Sequence, residues 1–296
     1  MADPLTASRD LTTIRAAITH FTRTLTAAGV PDAAGDVRRL LAETLGLSPA
    51  ALLASPERML TEDEHERASG NMLRRASREP VSRILGERDF YGRPFSISPA
   101  VLDPRPDTET LVSTALDIVA REGWQREPLR LLDVGTGSGC LIVTLLCELP
   151  NAVGIGTDIS TAALEVAHAN AVRHGVGGRT RFLQADALEI ETGPFHLMLT
   201  NPPYIATSEI ANLDPEVRVH DPRLALDGGA DGLDVYRRLT PRIAAALPDG
   251  WFICEVGYDQ AGAVADLLTT ALRPPQIEIH RDLAGQNRCV AVRTRG

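Results

Sequence analysis

Between residues 129 and 200 the chain runs four times through a short apolar stretch and stops at a polar or glycine-rich tip: "LRLLDVG", "AVGIGTD", "TRFLQAD" and "FHLMLT". After the first tip, Leu141, Ile142, Leu145 and Leu146 recur at helical spacing. Strands alternating with helices predict an open α/β fold, because parallel strands need long crossovers and the crossover helices cover both faces of the sheet. In such a sheet ligands bind in the crevice outside the carboxyl ends of the strands. The four tips are therefore the place to look for chemistry.

The first tip, "VGTGSGC", turns directly into a helix, so its glycines let a ligand approach the backbone. The dinucleotide fingerprint Gly-x-Gly-x-x-Gly is not met: counted from Gly135 and Gly137, its third position is Cys140, and glycine stands at 139 instead. This argues against NAD or FAD and leaves a nucleoside without a pyrophosphate as the natural occupant. Asp158 ends the second strand about 20 residues beyond the glycines, where such a unit offers an acid to a ribose hydroxyl pair. Asp186 ends the third. Taken singly, each is equally a tight turn or a helix cap; together, at consecutive tips, they point to one site. After the fourth strand come Asn201, Pro202, Pro203 and Tyr204. Proline has no backbone donor and a fixed φ, so this is a stiff corner whose carbonyls a sheet ladder cannot all use.

Upstream, residues 1–80 read as a small helical bundle. Asp10 is the candidate N-cap of a helix with Leu11, Ile14, Ile18, Phe21 and Leu25 on one face, stopped by Gly29. A second helix starts near Asp32, carries Val37, Leu40, Leu41 and Leu45, and ends at Gly46. Ser48-Pro49 opens a third, and Thr61 with Glu64 has capping-box spacing for a fourth that runs to Pro80. In residues 81–106, "ERDFYGRPFSIS" predicts a β-hairpin about Gly92-Arg93-Pro94, followed by a connector held extended by Pro104 and Pro106. Asp107 or Thr108 is then placed to cap a helix with Leu111, Val112, Leu116 and Val119, opening a domain over 107–296.

A net charge of -9 and a pI near 5.3 argue against a protein that wraps bare duplex DNA through phosphate contacts. All 30 Lys+Arg positions are arginine, which reads as composition bias. Cys140, Cys147, Cys254 and Cys289 lack the paired spacing of a zinc site and read as buried free thiols in a reducing cytosol. The N-terminal region carries Asp3 and Asp10 and no long apolar run, so neither a secretory signal nor a membrane span is expected.

The residues "LDVGTGSG", Asp158, Asp186 and above all "NPPY" resemble the methyltransferases that use S-adenosylmethionine and modify planar nitrogens. Within that class, "REPVSRILGERDFYGRPFSISPAVLDPRPDTETLV" is similar to the connector of the HemK/PrmC family, which methylates the glutamine of the Gly-Gly-Gln loop in peptide-chain release factors. Further matches are "VRVHDPRLALDGGADGLDVYRRL", "ICEVGYDQ" and "RDLAGQNR". The resemblance runs from about residue 78 onward, and the helical head matches in size and character. Arg83, Asp103 and Asp107 depart from common family residues, which bears on fine substrate contacts. The resemblance implies a Rossmann-like class I sheet, mostly parallel and seven-stranded, with helices on both faces, preceded by a helical bundle and a hairpin. It also implies a cytoplasmic monomer that uses S-adenosylmethionine, yields S-adenosylhomocysteine, needs no metal and takes release factors as substrate.

By the same resemblance, the backbone of Gly135, Thr136, Gly137, Ser138 and Gly139 cradles the methionine end of the donor with Asp133 near its ammonium. Asp158 holds the ribose hydroxyls, Asp186 and Ala187 meet the adenine, and Asn201 borders donor and acceptor alike. Pro104, Arg105 and Pro106 form a wall near the methyl donor. An amide nitrogen is a poor nucleophile, so orientation has to do the work: the Asn201 side-chain oxygen and the Pro202 carbonyl accept the two amide hydrogens, Pro203 stiffens the corner, and Tyr204 lies against the flat amide. The helical head docks the protein substrate. The alternative is a DNA or RNA amino-methyltransferase acting on adenine N6 or guanine N2, since an exocyclic amine presents a similar NH2.

Overall fold

Apolar periodicity changes from helical to alternating near residue 87, and the chain divides there into two units, Met1–Gly86 and Glu87–Gly296. The computed structural model describes residues 12–186, 193–274 and 276–294. The first unit holds α1 (Ile14–Ala27), α2 (Ala33–Leu45), α3 (Pro49–Ala54), α4 (Glu62–Ala76) and α5 (Val81–Leu85). Asp10 and Leu11 lie outside the described residues; the cap observed on α1 is Thr13, whose side chain accepts from the Ala16 amide. Asp32 and Ser48 cap α2 and α3, and Thr61 and Glu64 complete a reciprocal capping box on α4. That helix does not reach Pro80. It stops at Ala76, where Ser77 caps it and Arg78 takes a left-handed φ of 68°. Ile14, Phe21, Leu25, Val37, Leu40 and Leu41 meet in the core of this unit.

The second unit opens with a hairpin of β1 (Glu87–Phe90) and β2 (Arg93–Ser96). Its turn is one step earlier than expected: Tyr91 (φ 50°) and Gly92 (φ 70°) form it, and Arg93 and Pro94 lie inside β2, with Pro94 opposite Asp89. Two central residues at positive φ match the right-handed twist of the strands, and a two-stranded ribbon tolerates a proline that donates nothing. Then follow α6 (Glu109–Arg121), β3 (Arg130–Val134), α7 (Cys140–Glu148), β4 (Val153–Asp158), α8 (Thr161–Arg173), β5 (Thr180–Gln184) and β6 (Leu197–Thr200). The chain ends with α9 (Pro215–His220), α10 (Asp234–Ala246), β7 (Trp251–Glu255), α11 (Ala261–Leu272), β8 (Gln276–Arg281) and β9 (Asn287–Arg293).

These strands make one seven-stranded sheet in the order β5-β4-β3-β6-β7-β9-β8. The pairs from β5 through β7 are parallel, and β9 is antiparallel to both β7 and β8. Successive side chains of a strand face opposite ways, and the core divides accordingly. Leu131, Leu197 and Leu199 pack with α6 and α7, whereas Leu132, Val134 and Met198 pack with α10 and α11. The strand order reverses between β3 and β6, and the crevice at that switch point is where the fold invites a ligand. Among the described residues no helix is long and apolar enough to cross a membrane.

Candidate active site

Beyond β3 the chain makes three left-handed steps, with Gly135 at φ 72°, Gly137 at 55° and Gly139 at 79°, before α7 begins. A side chain at Gly139 would also press on Ala167 of α8 at 3.1 Å, so that glycine serves helix packing as well as the turn. A Cβ built at Gly135 or Gly137 would meet nothing within 4 Å, and both residues line an open cavity, so the turn leaves room for a ligand. Asn170, fully buried on α8, holds the turn from behind: its Nδ2 donates to the Ser138 carbonyl at 2.9 Å and to the Ser96 carbonyl at 2.9 Å, while its Oδ1 accepts from the Ser96 amide at 2.8 Å. No local pattern marks this asparagine as part of the site.

Asp133 lies beneath the turn, 0% exposed, and accepts from the Thr136 hydroxyl at 2.7 Å. It does not line the cavity above. Burial pushes its carboxyl up to about 7, the Thr136 hydrogen bond opposing and nearby Asp158 adding to the rise. Asp158 ends β4 with Oδ2 accepting from the Gly137 amide and Oδ1 from the Ser160 amide, both at 2.9 Å, so the second tip is tied to the first. Asp186 lies past β5 and pairs through both oxygens with Arg238 at 2.6 and 2.7 Å. Ala187 lies outside the described residues.

Gly135, Thr136, Gly137, Ser138, Asp158, Asp186, Asn201, Pro202 and Pro203 all line one cavity of about 370 Å³. Pro104 and Arg105 close one side, and Arg105 is fixed by Asp221 at 2.5 Å. A second cavity of about 300 Å³ is lined by Pro106, Tyr204 and Glu255 and shares Asn201, Pro202 and Arg105 with the first. The asparagine-proline corner thus stands between two chambers. The open glycine turn, the acid at the β4 tip and an adjoining chamber suit a sulfonium nucleoside better than a dinucleotide, whose pyrophosphate would call for the missing third glycine.

The corner's acceptors are used selectively. Gln260 donates to the Tyr204 carbonyl at 2.9 Å, and Ile205 exchanges bonds with the Leu226–Gly228 stretch. Asn201 Nδ2 donates to the Thr108 hydroxyl at 3.1 Å. Among the described residues no donor reaches Asn201 Oδ1 or the Pro202 carbonyl. Gly228 and Gly232 allow the following loop to lie against the corner: a Cβ at Gly228 would come within 2.8 Å of the Pro203 oxygen, and one at Gly232 within 2.2 Å of the Tyr204 oxygen. Thr108 holds the N-cap position of α6 but makes no side-chain cap bond; its hydroxyl oxygen accepts from Asn201 Nδ2 instead. Half-buried Tyr204 donates through its phenol to Glu255 Oε1 at 3.2 Å. Burial drives the Glu255 carboxyl up to about 7, against the Thr108 hydroxyl, the Arg288 charge and the Tyr204 phenol.

Residues 16–86 match the PrmC N-terminal domain, and residues 117–216 match the methyltransferase small domain. The release factor glutamine methyltransferase of Bradyrhizobium diazoefficiens is 44% identical over 298 residues, covering 99% of this chain and 97% of its own. This chain belongs to the release factor glutamine methyltransferase family. The family member from Deinococcus radiodurans is 40% identical, across 96% of this chain and 99% of its own. In fold, the hMettl16 catalytic domain, solved in complex with the MAT2A 3'UTR hairpin 6, superposes with a TM-score of 0.54 at 15% identity, over 77% of this chain and 81% of that one. The protein is an S-adenosylmethionine-dependent methyltransferase.

Proposed function

We propose that this enzyme methylates the side-chain amide nitrogen of the glutamine in the Gly-Gly-Gln loop of peptide-chain release factors. One observation carries the mechanism: two acceptors on consecutive residues, Asn201 Oδ1 and the Pro202 carbonyl, receive no donor among the described residues, and both residues line two cavities. A primary amide has two N–H groups to satisfy them, and unpaired acceptors in a site are costly until a substrate fills them. S-adenosylmethionine supplies a methyl group made electrophilic by its sulfonium. The glycine turn, Asp158 and Asp186 bind the donor, and Asp133 acts from below by holding Thr136 rather than from the cavity wall.

In this scheme the corner orients the amide so that its nitrogen faces the first cavity, and Pro203 keeps the corner from yielding. Tyr204, anchored by its phenol, limits rotation of the amide plane. Holding reactants in attack geometry removes roughly 7–11 kcal/mol of barrier, so no strong base is needed before transfer. The helical unit at the N-terminus supplies additional docking surface, since one glutamine offers too little contact for selectivity.

Incubation of purified release factor with the enzyme and S-adenosylmethionine is expected to add a single methyl group, located by fragmentation mass spectrometry at the Gly-Gly-Gln glutamine. Methyl incorporation into DNA or RNA, with none into the release factor, would remove this assignment. The donor site has its own check. Asp158→Ala is expected to weaken S-adenosylmethionine binding by roughly 10- to 100-fold in calorimetry, the worth of one or two hydrogen bonds to a charged group. Undiminished donor affinity in that variant would show that the ribose is held elsewhere.

A further inference from the structure

Glu255 is a carboxylate with no evident reason to be where it is. It is the last residue of β7, beside the β6 tip that leads into Asn201, and it is 1% exposed. A buried carboxylate is costly unless neighbours use it. Its neighbours here are the corner residues. The Tyr204 phenol donates to its Oε1 at 3.2 Å, while Oε2 is buried with no hydrogen-bond partner among the described residues. The Arg288 guanidinium, itself paired with Asp282 at 3.2 Å and Asp107 at 3.1 Å, supplies a counter-charge.

The Thr108 hydroxyl has one hydrogen and two lone pairs. Toward Asn201 the hydroxyl oxygen is the acceptor. Asn201 Nδ2 donates to it at 3.1 Å. The two ends of an asparagine amide are nearly the same shape, so only such a partner decides which end faces the cavity. Reversed, the Asn201 NH2 would face the NH2 of the substrate, donor against donor.

We infer that Thr108 is a positioning residue for methyl transfer: its hydroxyl holds Asn201 Nδ2, and Asn201 Oδ1 is thereby presented to the acceptor amide, while the buried Glu255 carboxylate holds Tyr204 by its phenol. Thr108 and Glu255 lie 147 positions apart and come from the start of α6 and the end of β7. This assignment rests on the amide acceptor proposed above.

The test compares Thr108→Val, Thr108→Ala and Thr108→Ser with the wild type, using purified release factor and S-adenosylmethionine. Thr108→Val keeps the shape and removes the hydroxyl; it is expected to lower kcat at least about tenfold, the scale of one lost hydrogen bond and a misdirected amide. Donor Kd by calorimetry stays within about twofold, because the glycine turn and Asp158 are untouched. Thr108→Ser restores kcat to within about threefold. A structural role alone would not give rescue by serine together with unchanged donor affinity. Independently of turnover, hydrogen exchange of the Asn201 side-chain amide, followed by NMR, is expected to accelerate in Thr108→Val and to stay near the wild-type rate in Thr108→Ser. Unchanged exchange in Thr108→Val, or kcat within about twofold of wild type in that variant, overturns the assignment. Should Thr108→Val fail to fold, Thr108→Ala decides by the same two readouts. If the wild type itself leaves the release factor unmethylated, the substrate assignment falls, and the exchange measurement still judges the network.

Discussion

Asn201→Ala is expected to lower methyl transfer to release factor by a factor of about 1,000 or more while S-adenosylmethionine binding remains measurable. The loss has two sources. One acceptor of the substrate amide disappears, which by itself is worth roughly 1.5–3 kcal/mol where the site is shielded from water. The larger part is orientation, because an amide held by the Pro202 carbonyl alone can swing its lone pair away from the donor, and misplacement of about 1 Å can cost 100-fold. Asn201 also borders the donor cavity, so a several-fold weaker donor Kd is compatible with the scheme. Single-turnover transfer of a labelled methyl group, beside calorimetry of the donor, separates the two effects. A variant with full activity would remove the corner from the mechanism.

Gly232→Ala is expected to damage the same corner from the other side. Gly232 has φ 77°, where an L side chain is strained, and its Cβ would come within 2.2 Å of the Tyr204 carbonyl and 2.4 Å of Gln260 Nε2. The clash is with backbone, and Gln260 is the donor to that carbonyl at 2.9 Å, so neither neighbour can step aside without breaking the bond between them. A loss of about 3 kcal/mol of stability is expected, in line with overpacking added to a forbidden backbone angle. Activity measured well below the unfolding temperature is expected to fall about 100-fold through displacement of Tyr204. Denaturant unfolding and turnover of the same preparation check both. A variant as stable and active as the wild type would mean that the loop does not brace the corner.

What could be read from residues alone follows from how local each cause is. The strand tips were legible because buried parallel strands are short apolar runs and their ends must carry whatever is not apolar. The capping boxes and glycine stops of the helical unit were legible for the same reason, each being settled within four residues. Of the two cap candidates, Asp107 and Thr108, Thr108 holds the N-cap position, but its hydroxyl makes no local cap bond because Asn201, far along the chain, donates to it. The hairpin turn was placed on Gly92-Arg93-Pro94, whereas Tyr91 accepts a positive φ and Pro94 is carried in a strand with one ladder partner. Glu255, Asn170, Gly228 and Gly232 have no local signature. Their roles exist only once distant segments meet, and the nearest hint was that "ALDGGADG" and "ICEVGYDQ" resembled family motifs without a stated purpose.

The three bonds of Asn170 have a bearing on where this enzyme can be cut. Two of them go to Ser96 of the hairpin and one to Ser138 of the glycine turn. A chimera whose catalytic half began after the hairpin would keep nearly every residue assigned to donor and acceptor, yet would strand a buried amide with most of its partners gone. The hairpin is thus a retaining wall for the glycine turn, and the shortest transplantable catalyst starts no later than Glu87.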